Sequence, residues 1–271
     1  MERITSRQNA VVKRFRALAR TAPASGGEIL LDGEHLIDEA LQSGIPIEIA
    51  AVSTEDGNGA RGSPAKIVAD VRSAGGRVFH VTKDVLNAIS PVRQPSGVVA
   101  IARIQTADLG SAFQTAGRPP LVLVLADVQD PGNVGAVIRS AAAFGATAVI
   151  ATDGSANPFG WKALRGAMGG TFRLPVVASA GLADVVDAAR AAEVPLVATV
   201  PRGGTPLPEA RLGRGCAIVL GGEGSGLPEQ AIAAARDRVT IPMRAPVESL
   251  NVATAAAIVL YEASRQRTER E

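Results

Sequence analysis

The chain has 271 residues, of which 46% are apolar and 3% aromatic, and its formal net charge is +2. That length suffices for two modest domains, each with its own core. No apolar run is long enough to cross a bilayer and no signal peptide precedes the first domain, so we expect a cytoplasmic protein without membrane contact. With one cysteine, Cys216, and two histidines, an internal disulfide is excluded and no metal site is expected.

The first twenty residues carry six basic side chains against one acidic side chain. An electropositive segment of this kind suits a phosphate backbone, which makes Arg7, Lys13 and Arg14 candidate nucleic-acid contacts. The same segment has an apolar stripe that includes Val11 and Phe15. The solvated face of an ordinary amphipathic helix is therefore an equally good interpretation.

Two α/β regions are predicted, joined by a linker rich in Ala, Gly and Pro. Alternating strands and helices in residues 121–271 predict a parallel sheet with helices on both faces. A smaller α/β domain is predicted for residues 1–105, and the linker for residues 106–120. Strands are predicted at 28–32, 47–52, 77–81, 98–104, 121–125, 173–177, 196–200, 217–220 and 238–241, and helices at 35–42, 65–74, 161–167, 183–192 and 248–266.

Residues 121–150 are the centre of the second region. Leu121 to Leu125 is an unbroken apolar run, typical of a strand that is buried on both faces. The turn that follows contains Pro131 and Asn133, and we expect Asn133 to cap the next helix. Gly145 is placed to end that helix. The result is a β-α-β unit whose first loop lies at the carboxyl end of a strand, where open parallel sheets bind ligands.

Three motifs follow one another in this region. The first is Asp127 with Asp130-Pro131-x-Asn133-x-Gly135 and Arg139, and the second is Leu220-Gly221-Gly222-Glu223-Gly224-Ser225-Gly226-Leu227. The third combines Ile241-Pro242-Met243 with Glu248-Ser249-Leu250-Asn251-Val252-Ala253. Together they resemble the SpoU (TrmH) family of RNA ribose 2′-O-methyltransferases. In the amino-terminal half, Ile4-Thr5-Ser6-x-x-Asn9 and Leu31-Asp32-Gly33-x-x-Leu36 resemble the L30e-like substrate-binding domain that precedes many SpoU domains.

The resemblance implies a fold, a cofactor and partners. It implies a SPOUT fold with a carboxyl-terminal trefoil knot, although knots are rare among proteins. It also implies S-adenosyl-L-methionine as the methyl donor, a homodimer and an RNA substrate. The amino-terminal domain favours ribosomal RNA, namely 23S rRNA, over tRNA, and the sequence does not indicate which nucleotide is modified.

The resemblance also assigns site residues. Methyl transfer to a ribose hydroxyl requires in-line positioning and loss of a proton. The family assigns hydroxyl activation to the arginine that matches Arg139; a guanidinium is a poor base, so we favour positioning and charge stabilisation and leave a base role open. An exposed helix arginine is the alternative. The other catalytic positions are Asn133, Glu223, Ser249 and Asn251, with Ser249 also a candidate helix cap, and the donor contacts are Thr199, Gly221, Ile241 and Leu250.

Three alternatives differ in class. A tRNA methyltransferase would carry the same motifs. A non-catalytic RNA-binding protein on a degenerate methyltransferase fold is disfavoured because all three motifs are intact. An oxidoreductase on a Rossmann sheet is excluded at the first βα loop, since Asp127 to Asn133 lacks the G-x-G-x-x-G that dinucleotide binding uses.

Overall fold

The structure, a computed structural model, describes residues 2–23, 26–54, 64–224 and 226–268. These residues form a five-stranded sheet followed by a seven-stranded sheet. In the first sheet the strand order is β1-β4-β3-β5-β2, and β5 runs antiparallel to its neighbours β2 and β3. Its elements are β1 (Glu2–Ile4), α1 (Ala10–Arg20), β2 (Gly26–Asp32), α2 (Glu34–Gln42), β3 (Ile47–Ser53), α3 (Pro64–Ser73), β4 (Arg77–Val81), α4 (Lys83–Ile89) and β5 (Val98–Gln105).

Strand β1 was absent from the sequence prediction. It has three residues, and only Ile4 is buried, so it lacks the alternating pattern by which strands are recognised. Its place in the sheet comes from pairing with β4, more than seventy residues away, where Glu2 lies beside Phe79. A local pattern does not contain that information.

The second sheet is parallel throughout, with strand order β10-β12-β9-β11-β6-β7-β8. This confirms the predicted parallel sheet, while the trefoil knot stays a prediction because strand order does not define how a chain is threaded. The elements are β6 (Leu121–Ala126), α5 (Pro131–Ala143), β7 (Ala148–Thr152), α6 (Trp161–Ala167), β8 (Val176–Ala180), α7 (Leu182–Ala191), β9 (Leu196–Thr199), β10 (Thr205–Pro206), β11 (Cys216–Gly221), α8 (Glu229–Ala234), β12 (Asp237–Thr240) and α9 (Val252–Thr268).

Two helices begin more than one residue away from their predicted starts. Helix α5 begins at Pro131 and is capped by Asp130, whose Oδ1 accepts from the backbone N–H of Asn133 at 2.9 Å. Proline fills the first helical position, where no N–H is needed, so the cap falls one residue before it. Asn133 is thus not the cap, and its amide is free for other contacts. Helix α9 begins at Val252 instead of 248.

The predicted strand at 173–177 lies three residues further along the chain, at Val176–Ala180. Pro175 precedes it, and a short 3₁₀ helix, Gly170–Phe172, occupies the chain before that proline. The apolar pattern alone does not separate the two.

The two sheets are joined by direct contacts. Asn157, in the loop before α6, donates from its side chain to the backbone carbonyls of Ala22 and Pro23 at 3.0 and 3.2 Å. Residue 107, just past β5, donates from its backbone N–H to the carbonyl of Val176 in β8. Phe159 is buried in the same apolar cluster as residues of the first sheet. The two regions are therefore in direct contact, and the segment that follows β5 begins against β8 of the second sheet.

Of the residues described, no helix is both long and apolar enough to cross a membrane. Within the same ranges, His, Cys, Asp and Glu side chains do not come together in groups of three or more that could hold a metal ion.

Candidate active site

A cavity of about 630 Å³ opens at the carboxyl ends of β9, β11 and β12, beside the start of α9. This is the edge of a parallel sheet where ligands bind, and the volume is typical of small-molecule sites. Its walls are mainly apolar. Seven of the nine predicted catalytic and donor-contact residues line it: Thr199, Gly221, Glu223, Ile241, Ser249, Leu250 and Asn251.

The glycine-rich loop after β11 brings backbone close to backbone. A Cβ built on Gly221 would lie 2.4 Å from the carbonyl carbon of Gly226, and one built on Gly222 would lie 1.8 Å from the carbonyl oxygen of Asp127. Neither space admits a side chain. The loop therefore presents main-chain groups to the cavity, which is the reason for glycine here. Ser225 of the same motif lies outside the described residues.

A chain of side-chain hydrogen bonds joins the three motifs. Asn251 donates from Nδ2 to Oδ1 of Asn133 at 3.1 Å, and Asn133 donates from Nδ2 to the carboxylate of Glu223. One residue comes from each motif. The contact joins the start of α5, the glycine loop and the start of α9 at the mouth of the cavity.

The donor and acceptor of each of these bonds follow from the position of Asn251, at one end of the hydrogen-bonded series. Oδ1 of Asn251 accepts from the backbone N–H groups of Ala253 and Thr254 at 2.9 and 3.3 Å, which makes Asn251 the cap of α9. Its Nδ2 must then face Asn133 and donate, so Asn133 offers its oxygen there and its own NH₂ to Glu223. Ser249 was a candidate for this cap. The structure gives the cap to Asn251.

Thr199 and Ser249 bring hydroxyl groups to the cavity. Thr199 ends β9 and donates its hydroxyl proton to the carbonyl of Val219 at 2.9 Å. Its oxygen can then act toward the cavity only as an acceptor. Ser249 is exposed and lines the cavity, so its hydroxyl is accessible to a ligand.

Arg139 lies outside the cavity wall. It is exposed on α5, six residues beyond Asn133. Its backbone packs against Gly170, where a Cβ built on the glycine would lie 3.3 Å from the Cα of Arg139. Within the described parts of the chain, its guanidinium makes neither an ion pair nor a hydrogen bond. The structure therefore does not bring Arg139 into contact with the Asn251–Asn133–Glu223 chain.

The predicted nucleic-acid contacts divide into two kinds. Lys13 is exposed on α1, and Arg7 is exposed with Asp84 at 3.9 Å. Arg14 instead donates to Glu28 and Glu48, on β2 and β3. The hydrogen bonds that Arg14 donates, to Glu28 above all and to Glu48, raise the pKa of Arg14. Arg14 thus ties α1 to the sheet, and its pairing with two carboxylates disfavours the prediction of Arg14 as a nucleic-acid contact.

The sequence reasoning did not assign roles to two acidic residues of the first motif. Asp130 supplies the cap of α5 and thereby aims Asn133. Asp127 has a left-handed backbone, with φ of 62°, and its carbonyl lies against Gly222. The signal for Asp130 was present, since aspartate directly before proline is a common helix start. A left-handed aspartate has no comparable sequence signal.

The chain is similar to known proteins in both of its regions. Residues 120–261, more than half of the chain, match the model of the SpoU rRNA Methylase family, and residues 9–100 match the MRM3-like substrate binding domain. The chain belongs to the SpoU rRNA methylase family. The predicted family is thus confirmed.

Relatives are similar over the whole length of the chain. A 23S rRNA (guanosine(2553)-2'-O)-methyltransferase of Bacillus subtilis, RlmP, is 31% identical and covers 96% of this chain and 98% of its own. The crystal structure of an AdoMet-bound rRNA methyltransferase from Sinorhizobium meliloti has a TM-score of 0.83 at 29% identity, covering 97% of each chain. The SpoU methyltransferase AviRb of Streptomyces viridochromogenes has a TM-score of 0.83 at 26% identity, covering 97% of this chain and 99% of its own.

Proposed function

We propose that this protein transfers a methyl group from S-adenosyl-L-methionine to a ribose 2′-hydroxyl of 23S ribosomal RNA. The observation that supports this best is the Asn251–Asn133–Glu223 chain, since it joins the three family motifs at one cavity mouth. Residues 1–105 serve as the substrate-binding domain, residues 106–120 as the linker and residues 121–271 as the catalytic domain. RlmP, the relative from Bacillus subtilis, has the same reaction in its name.

The cavity suits the donor. Leu227, Ile241 and Leu250 offer apolar surface for a flat base, while Gly221 and Gly222 leave main-chain groups accessible. Thr199 adds one acceptor. When bound, S-adenosyl-L-methionine supplies a methyl group that is already activated by its sulfonium. The protein therefore has to position the reactants and assist loss of the hydroxyl proton.

The catalytic side chains divide this work. Asn133 holds Glu223 and is itself held by Asn251, so the carboxylate has a fixed direction. Ser249 offers a hydroxyl beside them. Arg139, exposed and without a partner in the described parts of the chain, is available to an RNA phosphate or to the developing oxyanion. We assign it to positioning and charge stabilisation, since a guanidinium rarely loses its proton.

The RNA substrate meets the amino-terminal domain through exposed cations. Arg7 and Lys13 are retained as phosphate contacts, and Arg14 is not, because two carboxylates already pair with it. Neutralising a phosphate contact weakens RNA binding and lowers its salt dependence. RNA affinity of Lys13→Gln, measured as a function of salt, tests this assignment.

The protein acts as a homodimer in this proposal. Among the described residues, exposed apolar side chains include Ile258 and Tyr261 of α9, which are 37% and 58% exposed. The ring of Tyr261 packs edge-on against that of Phe144, with 5.9 Å between the ring centroids. A second copy that covers this surface removes it from water. The mass in solution, measured by light scattering, decides between one chain and two.

Methyl transfer to RNA tests the function. We expect label from radioactive S-adenosyl-L-methionine to appear as a 2′-O-methyl nucleoside in ribosomal RNA from cells that lack this protein. Loss of one charge-stabilising group costs about 100- to 1000-fold in rate, so Arg139→Ala loses transfer by about that factor. The same variant retains its melting temperature and donor affinity, because Arg139 is exposed and outside the cavity.

The other outcomes are equally informative. Undiminished transfer by Arg139→Ala removes Arg139 from the reaction. Label in tRNA alone changes the substrate, and label on a base overturns the chemistry. Absence of both label and donor binding favours a non-catalytic RNA-binding protein.

A further inference from the structure

Asp127 has an unusual backbone for its residue type. It follows β6 directly and has φ of 62°, in the left-handed region that side chains other than glycine rarely adopt. Three other non-glycine residues share this feature among those described, namely Met168, Ser179 and Glu193. Of the four, Asp127 is the one whose carbonyl lies against the glycine loop of the cavity. Such strain persists only where the surroundings hold it, and it often accompanies function.

The surroundings of Asp127 fix it on three sides. Its backbone N–H donates to Oγ1 of Thr152 at 3.3 Å, and its Oδ1 accepts from Nε2 of Gln129 at 3.1 Å. A Cβ on Gly154 would lie 2.6 Å from that Oδ1, so the carboxylate lies directly over a glycine. The side chain therefore packs in one defined place. Asparagine and aspartate tolerate this backbone best among non-glycine residues, whereas β-branched residues tolerate it least.

The carbonyl of Asp127 makes the contact that matters for the site. It fills the space where Gly222 would carry a Cβ. Gly222 precedes Glu223, and Asp127 precedes Asn133 by six residues along one turn and the start of α5. The first and second motifs thus touch twice, once through this backbone contact and once through the bond from Asn133 to Glu223.

We propose that Asp127 is a positioning residue for methyl transfer: its left-handed backbone seats its carbonyl on Gly222 and so sets Asn133 against Glu223. The inference rests on the proposed function, since it needs a rate to measure. Asp127 acts through the Asn133–Glu223 bond and makes no hydrogen bond to either of these side chains.

The test compares substitutions by the backbone that they allow. Asp127→Gly and Asp127→Asn keep the left-handed conformation and retain kcat within about 3-fold. Asp127→Val does not, and its kcat falls at least about 10-fold, because the bond from Asn133 to Glu223 that it disturbs is charge-assisted. Glu193→Val is the matched control. Glu193 has φ of 55° and is exposed in the turn before β9, at the opposite edge of the sheet; its substitution lowers the melting temperature but not kcat.

A double-mutant cycle separates positioning from general damage. In an Asn133→Ala background the bond to Glu223 is already absent, so Asp127→Val costs no more than about 2-fold further in kcat. The proposal is overturned if the kcat losses of Asn133→Ala and Asp127→Val multiply in the double variant. It is also overturned if Asp127→Val leaves kcat unchanged, or if Asp127→Gly lowers kcat as much as Asp127→Val does. A wild-type chain that methylates no RNA contradicts the proposed function instead, so the two failures are distinguishable.

Discussion

Helix α9 uses its two ends in different ways. At its amino end, Asn251 caps the helix and turns its remaining donor toward Asn133 at the mouth of the cavity. At its carboxyl end, Arg267 donates to the backbone carbonyls of Pro119, Pro120, Leu212 and Arg214. The polar side chain at the amino end thus contributes to the cavity mouth, while the polar side chain at the carboxyl end binds backbone groups of the fold.

The difference follows the two edges of the sheet. The carbonyls that Arg267 binds lie just before β6 and β11, at the amino edge. Gln266 binds further backbone groups at this edge, since it accepts from the N–H groups of Leu212 and Gly213 and donates to the carbonyl of Ala210. The carbonyl of Pro120 also accepts from the N–H of Cys216 in β11, whereas the other backbone groups have no strand partner and would otherwise need water. At the carboxyl edge, glycine and short polar side chains keep a cavity open. Substitutions at the two ends should therefore separate stability from activity.

The largest effect is expected at Arg267. Arg267→Ala leaves three carbonyls without a donor, those of Pro119, Leu212 and Arg214, while that of Pro120 keeps the N–H of Cys216. Hydrogen bonds to charged groups contribute about 1.5–3 kcal/mol each before solvent recovers part of it. We expect a loss of about 3 kcal/mol in unfolding free energy, measured by urea denaturation, with kcat of the folded protein unchanged. Burial lowers the pKa of Arg267. The control is Arg265→Ala, whose ion pair with the largely buried Glu262 lies within the last turns of α9 and is expected to contribute about 1 kcal/mol or less.

Two results would contradict this separation. A stability loss as small as that of Arg265→Ala would mean that water replaces the guanidinium without cost. A fall in kcat at temperatures where Arg267→Ala remains folded would mean that the two ends of α9 are coupled.

A smaller effect on stability, with a clear effect on rate, is expected at Asn251. Asn251→Asp keeps an oxygen for the N–H groups of Ala253 and Thr254, so the cap survives, but it has no NH₂ for Asn133. Its second oxygen faces Oδ1 of Asn133, which disturbs the bond to Glu223. We expect kcat to fall about 10- to 100-fold with a nearly unchanged melting temperature. Asn251→Ala loses the cap as well, at about 1 kcal/mol.

Rate and stability are measured on the same preparations of both variants. If Asn251→Asp were as active as the wild type, the bond from Asn251 to Asn133 would have no role in the reaction.

How much the sequence predicts also differs between these regions. The strand, turn and helix of residues 121–150 follow from local patterns, and the motifs place Glu223 and Asn251 at one site. The cap of α5 is also a local feature, because Pro131 needs no N–H at the first helical position and Asp130 therefore precedes the helix. These features depend on neighbouring residues, and the sequence contains them.

The remaining features depend on partners far apart in the chain. Arg14 meets Glu28 and Glu48 because β2 and β3 both flank β5, with α1 lying over them. Arg267 meets carbonyls almost 150 residues away. Side chains of this kind look exposed and basic in sequence, and only the sheet order shows which of them are committed to the fold.

The smallest effect is expected at Cys216, the first residue of β11, whose thiol is buried beside Arg267 at the closed end of α9. Cys216→Ala removes one buried atom, so we expect a loss of about 1 kcal/mol and no change in kcat. Burial raises the pKa of this thiol above its ordinary value of 9.0, against a smaller opposing effect of Arg267. The folded state therefore holds the proton more tightly than the unfolded state does.

The sign of the pH dependence follows from that proton. Stability due to the neutral thiol is complete below pH 9 and declines as the pH rises through the folded-state pKa. Unfolding free energies of wild type and Cys216→Ala, measured at pH 7 and pH 10, should therefore converge at the higher pH. A constant difference would mean that the thiol ionises as easily in the folded chain as in the unfolded one, so that the amino edge is open to water and the contrast between the two ends of α9 is weaker than their hydrogen bonds indicate.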